Sequence, residues 1–169
     1  MSSETPAART PGTKRADPGE YHFELANMNK IKGGPDYSTA VGPCVEGDRM
    51  IVALMRMSAG TGAEPHSHPN EQWIYVVEGT FMANIDGKEI EAKSGTVLYV
   101  PSNIVHSVKA TPQADGLFFT VKDASHGLQG IKAARCSTAT LAPLRKATGT
   151  LLAHHVPEYP SAFGATVES

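Results

Sequence analysis

Four side chains in this sequence have the types and spacing to do chemistry together: His66, His68, Gln72 and, further along, His106. Imidazole nitrogens bind first-row divalent ions at neutral pH. Alternate residues on a strand point to the same face, so His66 and His68 aim at one point with only Ser67 turned away. Metal ligation is the chemistry this arrangement predicts. Gln72 shares the parity of the two histidines and is a candidate fourth donor through its amide oxygen. Glu71 competes for that place, because Pro69 and Asn70 interrupt the alternation and register is poorly fixed across a proline-containing kink. By adjacency alone, Glu71 is also a candidate proton carrier. With His66, His68, Gln72 and His106 as ligands every donor is neutral, so a divalent ion keeps its full charge and acts as a strong Lewis acid toward anionic, oxygen-bearing molecules. Imidazole and amide donors suit Fe, Mn, Ni, Co and Zn alike.

Such a site needs strands to carry it, and the chain supplies them. The run RMIVALMRM places Ile51, Ala53, Met55 and Met57 on one face and Met50, Val52, Leu54 and Arg56 on the other, both largely apolar. Burial on both sides is the expectation. QWIYVVEG follows the histidine pair, and TFMANI and KEIEA flank Asp86 and Gly87, a strong two-residue hairpin signal. TVLYV stops at Pro101, and IVHSVKA and LFFTVKD add two more strands. Short strands with regularly spaced turns and no intervening helix predict an all-β antiparallel sandwich or barrel. Trp73 and Tyr75 have the parity opposite to Gln72 and should face away from the metal, as packing residues. Met50, Met55, Met57 and Met82 read as core filler before pocket lining.

The length of 169 residues and a hydrophobic content of 40% predict one domain with a real core. A formal charge of -2 without any basic run gives no sign of nucleic acid or anionic membrane as partner. No apolar run approaches a membrane span and the first residues lack a secretory apolar stretch, so a cytoplasmic location is expected. Cys44 and Cys136 form no CxxC pattern and are read as free thiols. Residues 1–20 are polar and proline-rich, predicting a flexible tail. Residues 21–48 read as an irregular arm, residues 49–122 as the barrel core, and residues 123–169 as a weakly patterned extension with a short helix around 141–152. His22, His126, His154 and His155 lie outside the motifs and are expected on the surface or in loops.

The spacing Gly60, five residues, His66-x-His68, three residues, Gln72, six residues, Gly79 resembles the first signature motif of the cupin superfamily, and Gly95, five residues, Pro101, then His106 resembles the second. The resemblance implies an antiparallel cupin β-barrel, the double-stranded jelly roll, with irregular N- and C-terminal extensions. Three positions depart from the pattern: Gln72 where many members carry a glutamate ligand, Asn103 in place of Gly, and Ala110 in place of Asn. Cupins with a similar His, His, Gln, His shell include uronate ring-opening proteins, polyketide cyclases and hydroxynitrile lyases. The resemblance therefore implies a metal-dependent enzyme acting on a small oxygen-rich molecule through a carbonyl or enolate, of isomerase, lyase or cyclase type. Two alternatives stay open: an Fe(II)-dependent dioxygenase cleaving an enolisable or aromatic ketone, and a metal and small-molecule binding protein without turnover. Small single-domain cupins pair into dimers, and a homodimer is expected on that ground.

Overall fold

In the computed structural model, which describes residues 7–134, every extended stretch of alternating burial is a strand. In chain order these are β1 (Lys14–Arg15), β2 (Ile31–Lys32), β3 (Val41–Gly42), β4 (Cys44–Glu46), β5 (Met50–Met57), β6 (Gly62–Ser67) and β7 (Gln72–Glu78). They continue with β8 (Thr80–Ile85), β9 (Lys88–Lys93), β10 (Val97–Val100), β11 (His106–Ala110), β12 (Gly116–Asp123) and β13 (Ile131–Lys132). A single turn of 3-10 helix at Leu25–Asn27 is the one helical element among the described residues, none of which forms a helix long and apolar enough to cross a membrane.

Two sheets face each other. The larger runs β1-β4-β5-β12-β7-β10, with β3 also on β5 and β2 on β3; the smaller runs β13-β6-β11-β8-β9. All pairings are antiparallel except that of β1 with β4. This is the jelly-roll arrangement that the two motifs implied. Between the sheets lies one core. Ile51, Ala53, Met55 and Met57 of β5 are at most 3% exposed, whereas Val52 and Leu54 are half-buried and Met50 and Arg56 exposed. The expected two-sided burial of this strand thus holds on one face only, because its other face is the outer surface of the larger sheet. Phe81 and Phe118 meet edge to face at 5.6 Å. Phe81 is fully buried, so Phe81→Ala belongs to the class of core truncations that cost about 3–5 kcal/mol. The β8–β9 hairpin turns through Asp86 and Gly87 at φ 53° and 77°, the left-handed pair that a two-residue turn matching strand twist requires. Asn103, at φ 62°, takes the left-handed conformation that asparagine tolerates best among residues with a Cβ.

The N-terminal stretch differs from expectation. Residues 9–20 are tied to the larger sheet: Glu46, fully buried, accepts from the Arg9 backbone N–H at 3.0 Å, the Arg9 guanidinium at 2.7 Å and the Arg15 guanidinium at 3.2 Å. β1 lies parallel to β4 beside this cluster. A polar composition predicts disorder when ordering must come from apolar burial; here it comes from a buried acid that needs its arginines. After Asp123 the chain is also ordered as far as residue 134, and β13 extends the smaller sheet along β6. The short helix expected around 141–152, with Cys136, His154 and His155, lies outside the described residues.

Candidate metal centre

His66 and His106 are direct cross-strand partners on β6 and β11 of the smaller sheet, with ring centroids 4.1 Å apart. The pairing shifts by one residue between this pair and Val108↔Ala63, so Glu64 and Pro65 form a bulge. Proline has no N–H to give the ladder, and the extra residue restores the inward direction at His66 after Ala63. His68 follows just beyond β6, its ring 4.8 Å from His106 and 5.9 Å from His66. All three imidazoles are buried, and one ligating atom from each lies within 4.8 Å of the others. Gln72 arrives from the opposite sheet at the first position of β7, buried at 7% exposure.

The ring orientations are fixed alike. His66 Nδ1 meets the Glu64 carbonyl at 2.8 Å, His68 Nδ1 the Asn70 carbonyl at 2.8 Å, and His106 Nδ1 the Ile104 carbonyl at 2.9 Å. A carbonyl oxygen only accepts, so each Nδ1 carries the hydrogen and each Nε2 presents a lone pair. Gln72 is oriented by a different device: its amide Nε2 donates to the Thr120 hydroxyl at 2.7 Å, which donates in turn to the Trp73 carbonyl at 2.9 Å. Its Oε1 therefore faces inward, 2.8 Å from His68 Nε2. Two lone pairs meet there with no hydrogen between them. A cation is what such a pair requires, and the donor set fits a divalent first-row ion.

Burial keeps the rings uncharged. It pushes His66 down to about 3, with the neighbouring His106 adding to the effect, and His68 down to about 4, with the Lys122 charge second. His106 is lowered by the same cause. Neutral imidazoles are the ligating form.

The site opens into a small cavity of about 50 Å³ between the sheets. Met55, Met57, Ile74, Val108 and Phe118 give it apolar walls. Tyr37 stacks on His66 at 4.2 Å and accepts a hydrogen bond from the Gly130 N–H at 2.7 Å. A Cβ on Gly130 would meet the Ser67 carbonyl oxygen at 2.5 Å, so glycine alone lets this loop approach His68. Lys122, 3% exposed, completes the lining; burial pulls its ammonium down to about 7.

Of the sequence-predicted residues, the structure brings His66, His68, Gln72 and His106 together and leaves Glu71 out. Glu71 is exposed, its carboxylate lies against the Tyr99 hydroxyl, and its backbone N–H donates to Asp123 at 2.5 Å. Strand alternation survives Pro69 and Asn70 because the Asn70 side chain donates to the Asp123 and His126 carbonyls at 2.7 and 3.0 Å, pinning the kink. The proton-carrier role that adjacency gave to Glu71 has no support from this position, outside the cavity. Trp73 and Tyr75 face outward as expected, 48% and 45% exposed. His22 and His126 are exposed. Tyr37 and Lys122 escaped sequence reasoning. For Lys122 a signal existed: on LFFTVKD, the parity that puts Phe118 and Thr120 inward puts a lysine there too.

Two facing sheets with imidazoles converging between them define a jelly roll carrying a three-histidine cluster that could hold a metal ion. Residues 53–122 match the cupin domain family. The polyketide cyclase RemF from Streptomyces resistomycificus superposes with a TM-score of 0.55 at 19% identity, covering 62% of this chain and 80% of that one. An RmlC-like cupin from Shewanella frigidimarina gives 0.52 at 22% identity, over 61% and 90% of the two chains. At these identities the likeness is one of fold. Among curated proteins, the dimethylsulfoniopropionate lyase DddW of Ruegeria pomeroyi is 29% identical over 83 residues, which is 49% of this chain and 53% of the relative, so the match spans about half the length of each.

Proposed function

We propose that the chain is a metal-dependent enzyme that activates the carbonyl or enolate of a small, oxygen-rich molecule, with His66, His68, Gln72 and His106 as the ligands. One observation carries this reading: the Gln72 amide oxygen and the His68 Nε2 face each other at 2.8 Å, each turned that way by its own hydrogen bonds. The ion, when bound, supplies an electrophile that draws electron density from a substrate oxygen. The protein's part is arrangement. Three backbone carbonyls fix the imidazoles, Thr120 fixes the amide, and no carboxylate among the four donors reduces the ion's charge. Apolar walls keep bulk water from competing for the substrate oxygen and strengthen electrostatic attraction inside the cavity. The relative from Ruegeria pomeroyi is named a lyase, which agrees with non-redox chemistry of this kind.

Metal content of protein purified without chelator, for wild type and His106→Ala, tests the ligands: one ion per chain is expected in the first, with loss in the second. Hydrogen–deuterium exchange next to the carbonyl of small ketones tests the chemistry, with acceleration expected only in the loaded wild type. Stoichiometric metal in His106→Ala, or steady oxygen consumption in place of exchange, sinks the proposal.

A further inference from the structure

The cavity holds an amine that the ligand set does not use. Lys122 stands on β12 as the cross-strand neighbour of Gln72, and lines the same space as His66 and His106. It is 3% exposed, and its one hydrogen bond goes to the Leu128 carbonyl at 2.8 Å. Among the described residues no carboxylate pairs with it. Asp123, next in sequence, has the opposite parity and spends its oxygens on the Glu71 and Ser125 backbone N–H groups. The nearby Cys44 thiol is no counter-charge, since burial pushes it up to about 11.

An ammonium group has three hydrogens to give. One bond to a carbonyl leaves the others without an acceptor among the described residues, in a lining that combines the metal-site side chains with Met55, Met57, Ile74 and Phe118. Burying a cation without a partner is costly, and any aliphatic side chain would fill this position at lower cost. Tethering Leu128 does not explain the charge either, because a neutral amide would donate to the same carbonyl. The lysine thus has a place for an anion and no protein group in it.

We infer that Lys122 is the counter-charge for an anionic group of the substrate, so that the cavity takes a small organic acid whose carbonyl end meets the metal and whose carboxylate end meets the ammonium. This rests on the metal-site reading above and narrows its substrate class. It also accounts for the residue's burial: a bound carboxylate restores the charge that the dry wall disfavours.

The test uses metal-loaded protein and calorimetric titration with acetoacetate and levulinate, each against its methyl ester. Two chain lengths cover two spacings between the carbonyl and the acid. Wild type should bind at least one acid about tenfold more tightly than its ester. The ion itself draws anions, so Lys122→Gln is the deciding variant: it keeps a donor for Leu128, should retain stoichiometric metal, and should lose the preference. Retention of the preference in Lys122→Gln, or no preference in wild type at millimolar ligand, overturns the inference. A second readout needs no variant: the ¹⁵Nζ resonance of Lys122 in the wild type should move on adding the acid and stay put with the ester. An unchanged resonance also overturns it. Failure of the metal reading looks different, as wild type without stoichiometric metal.

Discussion

The two sheets contribute unlike halves to the site. The smaller sheet, with the residue just beyond its β6, supplies three imidazoles, each locked by a main-chain carbonyl within two residues of its own position. The larger sheet supplies Gln72 and Lys122, whose partners are a side-chain hydroxyl 48 residues away and a loop carbonyl. One half is fixed by local backbone geometry, and the other by tertiary contacts. Local fixing makes a side chain insensitive to changes elsewhere, so on the proposed reading the imidazole half would hold the ion and the opposite half is where specificity can be tuned.

The contrast can be broken most directly at Thr120. Thr120→Val keeps the shape and removes the acceptor that turns the Gln72 amide, so metal affinity should fall about tenfold, as when an orienting partner is lost. Competition with a fluorescent chelator measures it, and unchanged affinity would mean that the amide needs no orienting.

A smaller effect concerns the imidazole half in metal-free protein. His66 and His68 are lowered to about 3 and about 4. An unfolded chain takes up protons at its histidines near pH 6.5 that the folded chain refuses, so the stability from these groups is complete above that pH and declines as pH falls toward 4. Scanning calorimetry should show a melting temperature that drops across this window. A flat profile from pH 7 to 4.5 would contradict buried, neutral rings.

The smallest effect belongs to the outer face. Trp73 and Tyr99 touch at 4.6 Å there, one residue along the strand from the site. Trp73→Ser should leave metal content and affinity unchanged by the same chelator assay, and any loss would show that the alternation is misread.

Much of this was legible in the residues. The histidine pair, His106 and the Asp86–Gly87 hairpin announce themselves through spacing and turn chemistry, both local properties. The preference for Gln72 over Glu71 was legible as parity and as spacing from Gly79, while the inward direction of Gln72 is held by Asn70, whose side-chain bonds to residues more than fifty positions on leave no trace in a local pattern. The ordered N-terminal stretch was hidden for a like reason. Glu46 and its arginines are more than thirty residues apart, and nothing about a charged residue in sequence says that it is buried. Tyr37 reaches His66 from a turn-rich segment whose hydrophobic pattern is too weak to place it.

The Thr10 hydroxyl accepts from the Leu128 N–H, and the Leu128 carbonyl accepts from Lys122, so a relay runs from the first described residues to the cavity wall. A shortened chain limited to the recognisable family stretch, residues 53–122, would retain every imidazole and forfeit the shelf beneath the lysine. Replacing Thr10 therefore reaches the cavity wall from the far end of the chain.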